Sequence, residues 1–252
     1  MKGWVSRTRF IGIASIALIV ACGDVGPTDE TTVVGISALD SEIVGDRGPG
    51  WDAPEEDPTH APNFSLRPND PTIANAPERV VLDFTWVGQS TGYWCGPGAS
   101  RIALSTHVTD PPTQPVLAEF LGTTTEGTAR ADMIRALNHW LAPAEPYVSI
   151  PVDARPTQAQ RDLLKETLIR RLSTGWPVVA NVLSGWRPPG YPSGTIGHFV
   201  VVMGYEQKGE RVFIADPAAE GSAGPRWENV PRTYWITLQN LGTWVGARGY
   251  SG

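Results

Sequence analysis

Cysteine is scarce in this chain: Cys22 and Cys95 are the only two in 252 residues. That excludes a disulfide-stapled scaffold and any zinc site built on paired thiolates. On number alone, one bridge between Cys22 and Cys95 remains open. Histidine is nearly as scarce, and no His-x-x-x-His spacing occurs among His60, His107, His139 and His198. No metal and no cofactor is expected. A GxxxxGK[ST] phosphate loop is absent, as is any internal repeat. Basic residues are the minority, 20 against 26 acidic, for a net charge of −6. Residues 1–21 hold three of the basic residues and no acidic one, so the remainder is near −9. Such a charge argues against nucleic acid and against electrostatic adhesion to anionic lipid. The apolar run over residues 10–21 falls short of the roughly 20 residues of a membrane-spanning helix.

What that run does resemble is an export signal. Lys2, Arg7 and Arg9 precede it, and it ends in the small residue Ala21 directly before Cys22. Ile19-Val20-Ala21-Cys22 resembles a bacterial lipobox, which implies that residues 1–21 are a lipoprotein-type signal peptide and that Cys22 is lipidated. The expectation is an exported, cell-envelope protein anchored to the membrane by lipid on Cys22. The alternative is a secreted protein in which Cys22 is incidental. With Cys22 as anchor, Cys95 is left for chemistry and the folded domain is expected to have no disulfide.

Residues 22–77 are poor in large apolar side chains and rich in Pro, Gly, Asp, Glu and Thr. They cannot bury enough surface to offset their chain entropy, and read as a flexible tether. Residues 78–252 suit one domain, expected as a monomer. Helices are expected after Cys95, over residues 113–121 and 128–141, and after Thr157. There Thr157-Gln-Ala-Gln160 has the form of a capping box, and Leu164, Leu168 and Leu172 follow at helical spacing up to Gly175. Beyond Gly175 the composition turns to strands: residues 177–183, 198–205, 211–216 and 233–238. Helices first and strands second predict an α+β fold with a segregated antiparallel sheet.

Three segments carry chemistry. Gln89-Ser-Thr-Gly-Tyr-Trp-Cys95-Gly-Pro supplies a thiol in a glycine-rich turn before a helical run, with Pro97 suited to its first turn. A helix N-terminus favours the thiolate form. Gly197-His198 opens an apolar strand and supplies an imidazole, and Asp216-Pro217 closes the next strand with a carboxylate. A cysteine nucleophile needs a base, an orienter for that base and a donor for the oxyanion, and Cys95, His198, Asp216 and Gln89 fit those four roles. Gln207-Lys-Gly-Glu210 between the two strands predicts a hairpin. Centred on Gln207, it places His198 directly opposite Asp216, on one face of the sheet.

The order Gln89, Cys95, His198, Asp216 resembles the C39-like branch of the papain-like cysteine peptidases, over residues 79–252. The resemblance implies a papain-like fold, with helices packed on a C-terminal antiparallel sheet. It also implies a cysteine peptidase with a Cys95-His198-Asp216 triad and Gln89, six residues before the cysteine, as oxyanion donor. A peptide or protein substrate follows. Trp94, Trp186 and Tyr191 are candidate walls of its cleft, the last two on the Pro/Gly-rich segment before His198. The same thiol chemistry serves a transglutaminase-like acyltransferase or a cell-wall peptide amidase. A non-catalytic binding module on this fold is the third reading. Cys95 as a buried structural thiol, and His198 and Asp216 as strand-end residues, are the bland alternatives.

Overall fold

The computed structural model describes residues 70–252 except Ser184 and Thr195. Cys22, the expected signal segment and most of the expected tether lie outside the described residues. The elements in chain order are α1 (Pro71–Ala74), β1 (Val80–Val81), α2 (Cys95–Leu104), α3 (Gln114–Phe120), α4 (Arg130–Leu141), β2 (Ser149–Ile150), α5 (Gln158–Ser173), β3 (Val178–Val182), β4 (His198–Glu206), β5 (Arg211–Ala215), a 3-10 turn (Pro225–Trp227), β6 (Thr233–Thr237), α6 (Leu238–Trp244) and β7 (Gly249–Ser251).

The α+β class is borne out. Seven strands form one antiparallel sheet in the order β2-β7-β3-β4-β5-β6, with β1 added alongside β4. Both faces are covered. Val200 and Val202 of β4 point into a core shared with α5 and α6. Phe199, Val201 and Met203 point into a second core shared with α2 and α4. Burial on both faces is why β4 reads as an unbroken apolar run rather than an alternating one. Helices therefore lie on both sides of the sheet, which the sequence segregation did not anticipate. Thr237 starts α6 by accepting the Asn240 N–H at 3.1 Å.

The boundaries follow local chemistry. Thr157 and Gln160 form a reciprocal capping box at the start of α5, an arrangement worth about 0.5–2 kcal/mol. Gly175 follows this helix at φ +94, a conformation that suits glycine. In α2, Gly96, Gly98, Ala99 and Ala103 are all buried, and their small side chains let the helix lie close against β4. Residues 70–77, read as the end of the tether, are part of the folded unit. Ala76 is buried in the α5-side core, and the Tyr205 hydroxyl donates to the Pro77 carbonyl at 3.1 Å.

The β4–β5 hairpin departs from the expected register. Glu206 pairs with Arg211, and Gln207, Lys208 and Gly209 turn the corner at positive φ. Between Val202 and Gly204 the register shifts by one residue, so that Val202 pairs with Ile214 and Val201 with Ala215. Met203 is the extra residue of this β-bulge. Continued by one residue, the register sets Asp216 opposite Val200, not opposite His198. Asp216 and His198 are diagonal neighbours on one face, a separation of about 7–8 Å between backbones that two side chains can bridge. The bulge is what makes this work. Without it, Asp216 would oppose Val201 and point to the other face, because a one-residue slip inverts every side chain.

Candidate active site

His198 and Asp216 are both buried, at 1% and 0% exposure. The His198 Nε2 to Asp216 Oδ1 distance is 2.9 Å. Asp216 Oδ1 also accepts the Ala218 N–H at 2.9 Å. Asp216 Oδ2 accepts the Tyr234 hydroxyl at 2.8 Å and the Tyr191 hydroxyl. Four donors thus surround one carboxylate. Its backbone is equally committed: the N–H donates to the Arg232 carbonyl at 2.9 Å, and the carbonyl accepts the Trp86 indole N–H at 2.8 Å.

This shell sets the charge state. Burial alone raises the Asp216 carboxyl, but the charge of His198 and the hydrogen bonds from His198, Tyr191 and the Ala218 N–H outweigh it. The group is held below the usual carboxylate range and is ionised. An ionised carboxylate only accepts, so Nε2 carries a proton, and in the neutral form of the imidazole Nδ1 presents a lone pair. His198 Nδ1 is buried and has no hydrogen-bond partner among the described residues. Trp227 covers the imidazole at a ring separation of 5.4 Å.

Cys95 is the first residue of α2 and is 1% exposed. No side chain caps that helix end, so its first-turn N–H groups keep their positive field. Cys95 is disulfide-bonded, which corrects the expectation of a domain without a disulfide. The chain's other cysteine, Cys22, lies outside the described residues. One turn into α2, Gly98 lets three segments meet. A Cβ there would come within 2.8 Å of the Pro217 Cβ and 3.3 Å of the Gln89 Cβ. The turn after Asp216, the Gln89 loop and the first turn of α2 are thereby packed together.

Gln89 is 3% exposed, so it is not a surface amide. Its backbone N–H donates to the Pro217 carbonyl at 2.7 Å. Nε2 donates to the Thr91 carbonyl at 2.7 Å. A carboxamide nitrogen has two hydrogens, so one donor is left over. Gln114 holds this loop from outside: its Nε2 donates to the Gly88 carbonyl at 2.7 Å, and its Oε1 accepts the Ser90 N–H at 2.9 Å.

The three candidate wall residues separate. Trp94 is half-buried beside Cys95 as the residue preceding α2. Trp186, with Pro188 and Pro189, lines a groove of about 510 Å³ whose other wall includes Pro231, Tyr234 and Trp235. Tyr191 turns inward to Asp216 instead, which corrects its reading as cleft wall alone. Gln114, Trp227 and Tyr234 escaped the sequence reading. Only Trp227, one of 10 tryptophans in a Gly/Pro-rich stretch, carried any signal. Among the described residues, no group of three His, Cys, Asp or Glu could hold a metal ion. Nor is any described helix long and apolar enough to cross a membrane.

The buried ionisable groups bound the pH range of stability. Asp216 is depressed in the fold, so its contribution is present above the unfolded carboxyl value, about 3.9, and is lost as pH falls through the folded value. Burial raises the phenols of Tyr147, Tyr191, Tyr234 and Tyr250. Their contribution is present below the unfolded value, about 10, and is lost as pH rises toward the folded ones. Urea melts should show a plateau between about pH 4 and pH 10. Asp216→Asn should flatten the acid limb. An acid limb unchanged in that variant would contradict the ionised state assigned to Asp216.

The family model described as Peptidase_C39 like family matches residues 81–243. No curated protein matches the chain. Among solved structures, xylellain, a cysteine protease from Xylella fastidiosa, is 16% identical. The match covers 74% of this chain and 88% of that one, with a TM-score of 0.45. Recombinant stem bromelain precursor is 11% identical over 74% of this chain and 73% of its own, with a TM-score of 0.45. The peptidase domain of Streptococcus ComA, a bi-functional ABC transporter, is 15% identical over 69% and 96%, with a TM-score of 0.38.

Proposed function

Because the chain belongs to the Peptidase_C39 like family, a family of cysteine peptidases, we propose that it hydrolyses peptide bonds with Cys95 as nucleophile. The observation that carries this reading is the His198 ring. One nitrogen is fixed on an ionised Asp216, and the other is buried with no partner among the described residues. That is the arrangement of a base awaiting a proton.

In the reduced form, His198 Nδ1 takes the Cys95 thiol proton. The sulfur adds to the scissile carbonyl carbon, and the electron pair moves onto oxygen. The Cys95 N–H and the remaining Gln89 Nε2 hydrogen hold that oxyanion. Collapse breaks the C–N bond, and the imidazolium proton leaves with the amine. Water then attacks the thioester with His198 again as base, releasing acid and restoring the thiol. Throughout, Asp216 keeps the imidazole in one tautomer and stabilises its protonated form. Cys95 is disulfide-bonded in the structure, and a sulfur held in a disulfide is not a nucleophile, so activity belongs to protein whose Cys95 thiol is reduced. A peptide-library digest by the reduced full chain tests the reaction. New amino termini are expected. A new amide bond would indicate acyl transfer instead, and no product at all would contradict the proposal.

We also infer export and lipid anchoring at Cys22, supported by the basic and apolar run before it. A lipidated Cys22 sulfur cannot also bridge Cys95, so the anchored form carries Cys95 as the reduced thiol. Expressed in a bacterial envelope, the protein should partition into Triton X-114 with a diacylglyceryl group on Cys22. A water-phase protein carrying an unmodified Cys22 would refute the anchor.

A further inference from the structure

Tyr191 and Tyr234 come from different parts of the chain, one in the segment before β4 and one in β6, yet both hydroxyls donate to Asp216 Oδ2. The two oxygens lie 3.3 Å from each other. Neither hydroxyl is there by accident of crowding. Tyr191 is fixed edge-on by Trp227 and Trp244, at ring separations of 5.0 and 5.4 Å. Tyr234 is fixed by its place in β6, where it pairs with Ile214 of β5. The carboxylate is thereby divided: Oδ2 belongs to the tyrosines, and Oδ1 to His198 and the Ala218 N–H.

The division matters because Asp216 stands just past the last strand pair, Val201 with Ala215. Sheet pairing alone does not fix its χ angles. Two donors on the distal oxygen define the carboxylate plane, and that plane aims Oδ1 at Nε2. We propose that Tyr191 and Tyr234 are positioning residues for the thiol chemistry, acting only through Asp216 to hold His198 in its working orientation. The proposal rests on the assignment of Asp216 as orienter of His198. Tyr191, taken from sequence for a substrate wall, belongs to the machinery behind the base instead. Tyr234 does both things at once, since it also lines the groove beside Trp186 and Trp235.

A double-mutant cycle separates this from mere packing. The full chain is reduced and desalted, then treated with iodoacetamide at pH 6. The rate at Cys95 is read by peptide mass spectrometry, with no need to know the substrate. Tyr191→Phe and Tyr234→Phe keep the rings, and each single variant leaves one donor on Oδ2. Each should slow alkylation about threefold and the pair about tenfold, part of what a hydrogen bond to a charged group is worth. On an Asp216→Asn background the same substitutions should change the rate less than about twofold. Equal losses in both backgrounds, or rates that stay level or rise in folded Tyr→Phe variants, would overturn the proposal. An Asp216→Asn rate equal to wild type is a different failure. It would remove Asp216 as orienter, and the tyrosine assignment with it. Melting curves on each sample confirm that folded protein is compared.

Discussion

Cys95→Ala should abolish peptide-library cleavage, a loss on the order of 10⁴- to 10⁶-fold, while leaving the melting curve close to that of the reduced wild type. The size follows from the chemistry. Without sulfur there is no acyl-enzyme, and the remaining oxyanion donors and bound substrate accelerate water only weakly. The small effect on stability follows from the site. Cys95 is one buried residue of a helix already packed through Ala99, Ile102, Ala103 and Leu104. Removing one sulfur costs far less than emptying a leucine-sized volume. Comparison with reduced wild type is essential, because a disulfide contributes to stability in its own right. Residual cleavage within about tenfold of wild type would exclude Cys95 as nucleophile.

Asp216→Ala should have two effects that the Cys95 variant separates. It leaves His198 Nε2, the Ala218 N–H and the hydroxyls of Tyr191 and Tyr234 facing a buried space with no acceptor. Breaking a buried charged partner in this way costs about 3–5 kcal/mol. The melting temperature should fall accordingly. Single turnover by the folded fraction should fall as well, on the order of 10²- to 10⁴-fold, less than for Cys95→Ala. The thiolate–imidazole pair can still form without its orienter, but the ring is no longer held in one tautomer. A folded fraction with normal turnover would reduce Asp216 to a structural role.

The parts of this site that sequence made legible are those with local chemistry. The capping box of Thr157 and Gln160, the Gly175 stop and the strand beginning at His198 each announce themselves within a few residues. The α2 start at Cys95 is legible for the same reason, since Pro97 and the glycines mark a turn entering a helix. The pairing of His198 with Asp216 was legible in outcome but not in route. Nothing marks Met203 as the bulge, because it sits within an unbroken apolar run. Symmetry about Gln207 gave the right face through a register that is two residues off. Tyr234 and Gln114 were not legible at all. Each reaches the site by tertiary packing, 18 residues from Asp216 and 24 from Ser90, with no motif to connect them.

The measurement that bears most directly on the unity of thiol and imidazole is alkylation of Cys95 in reduced wild type and in His198→Ala, across pH 5 to 9. Here a helix N-terminus and an imidazole with a free Nδ1 are proposed to act on one sulfur. The wild-type rate should already be substantial at about pH 6, where an ordinary thiol, with a pKa of about 8.5, is almost wholly protonated. His198→Ala should lose that acid-side reactivity at least about tenfold and react mainly above about pH 8. Identical pH–rate profiles for the two folded proteins would show that His198 does not act on Cys95, and would contradict the thiolate mechanism proposed for this chain.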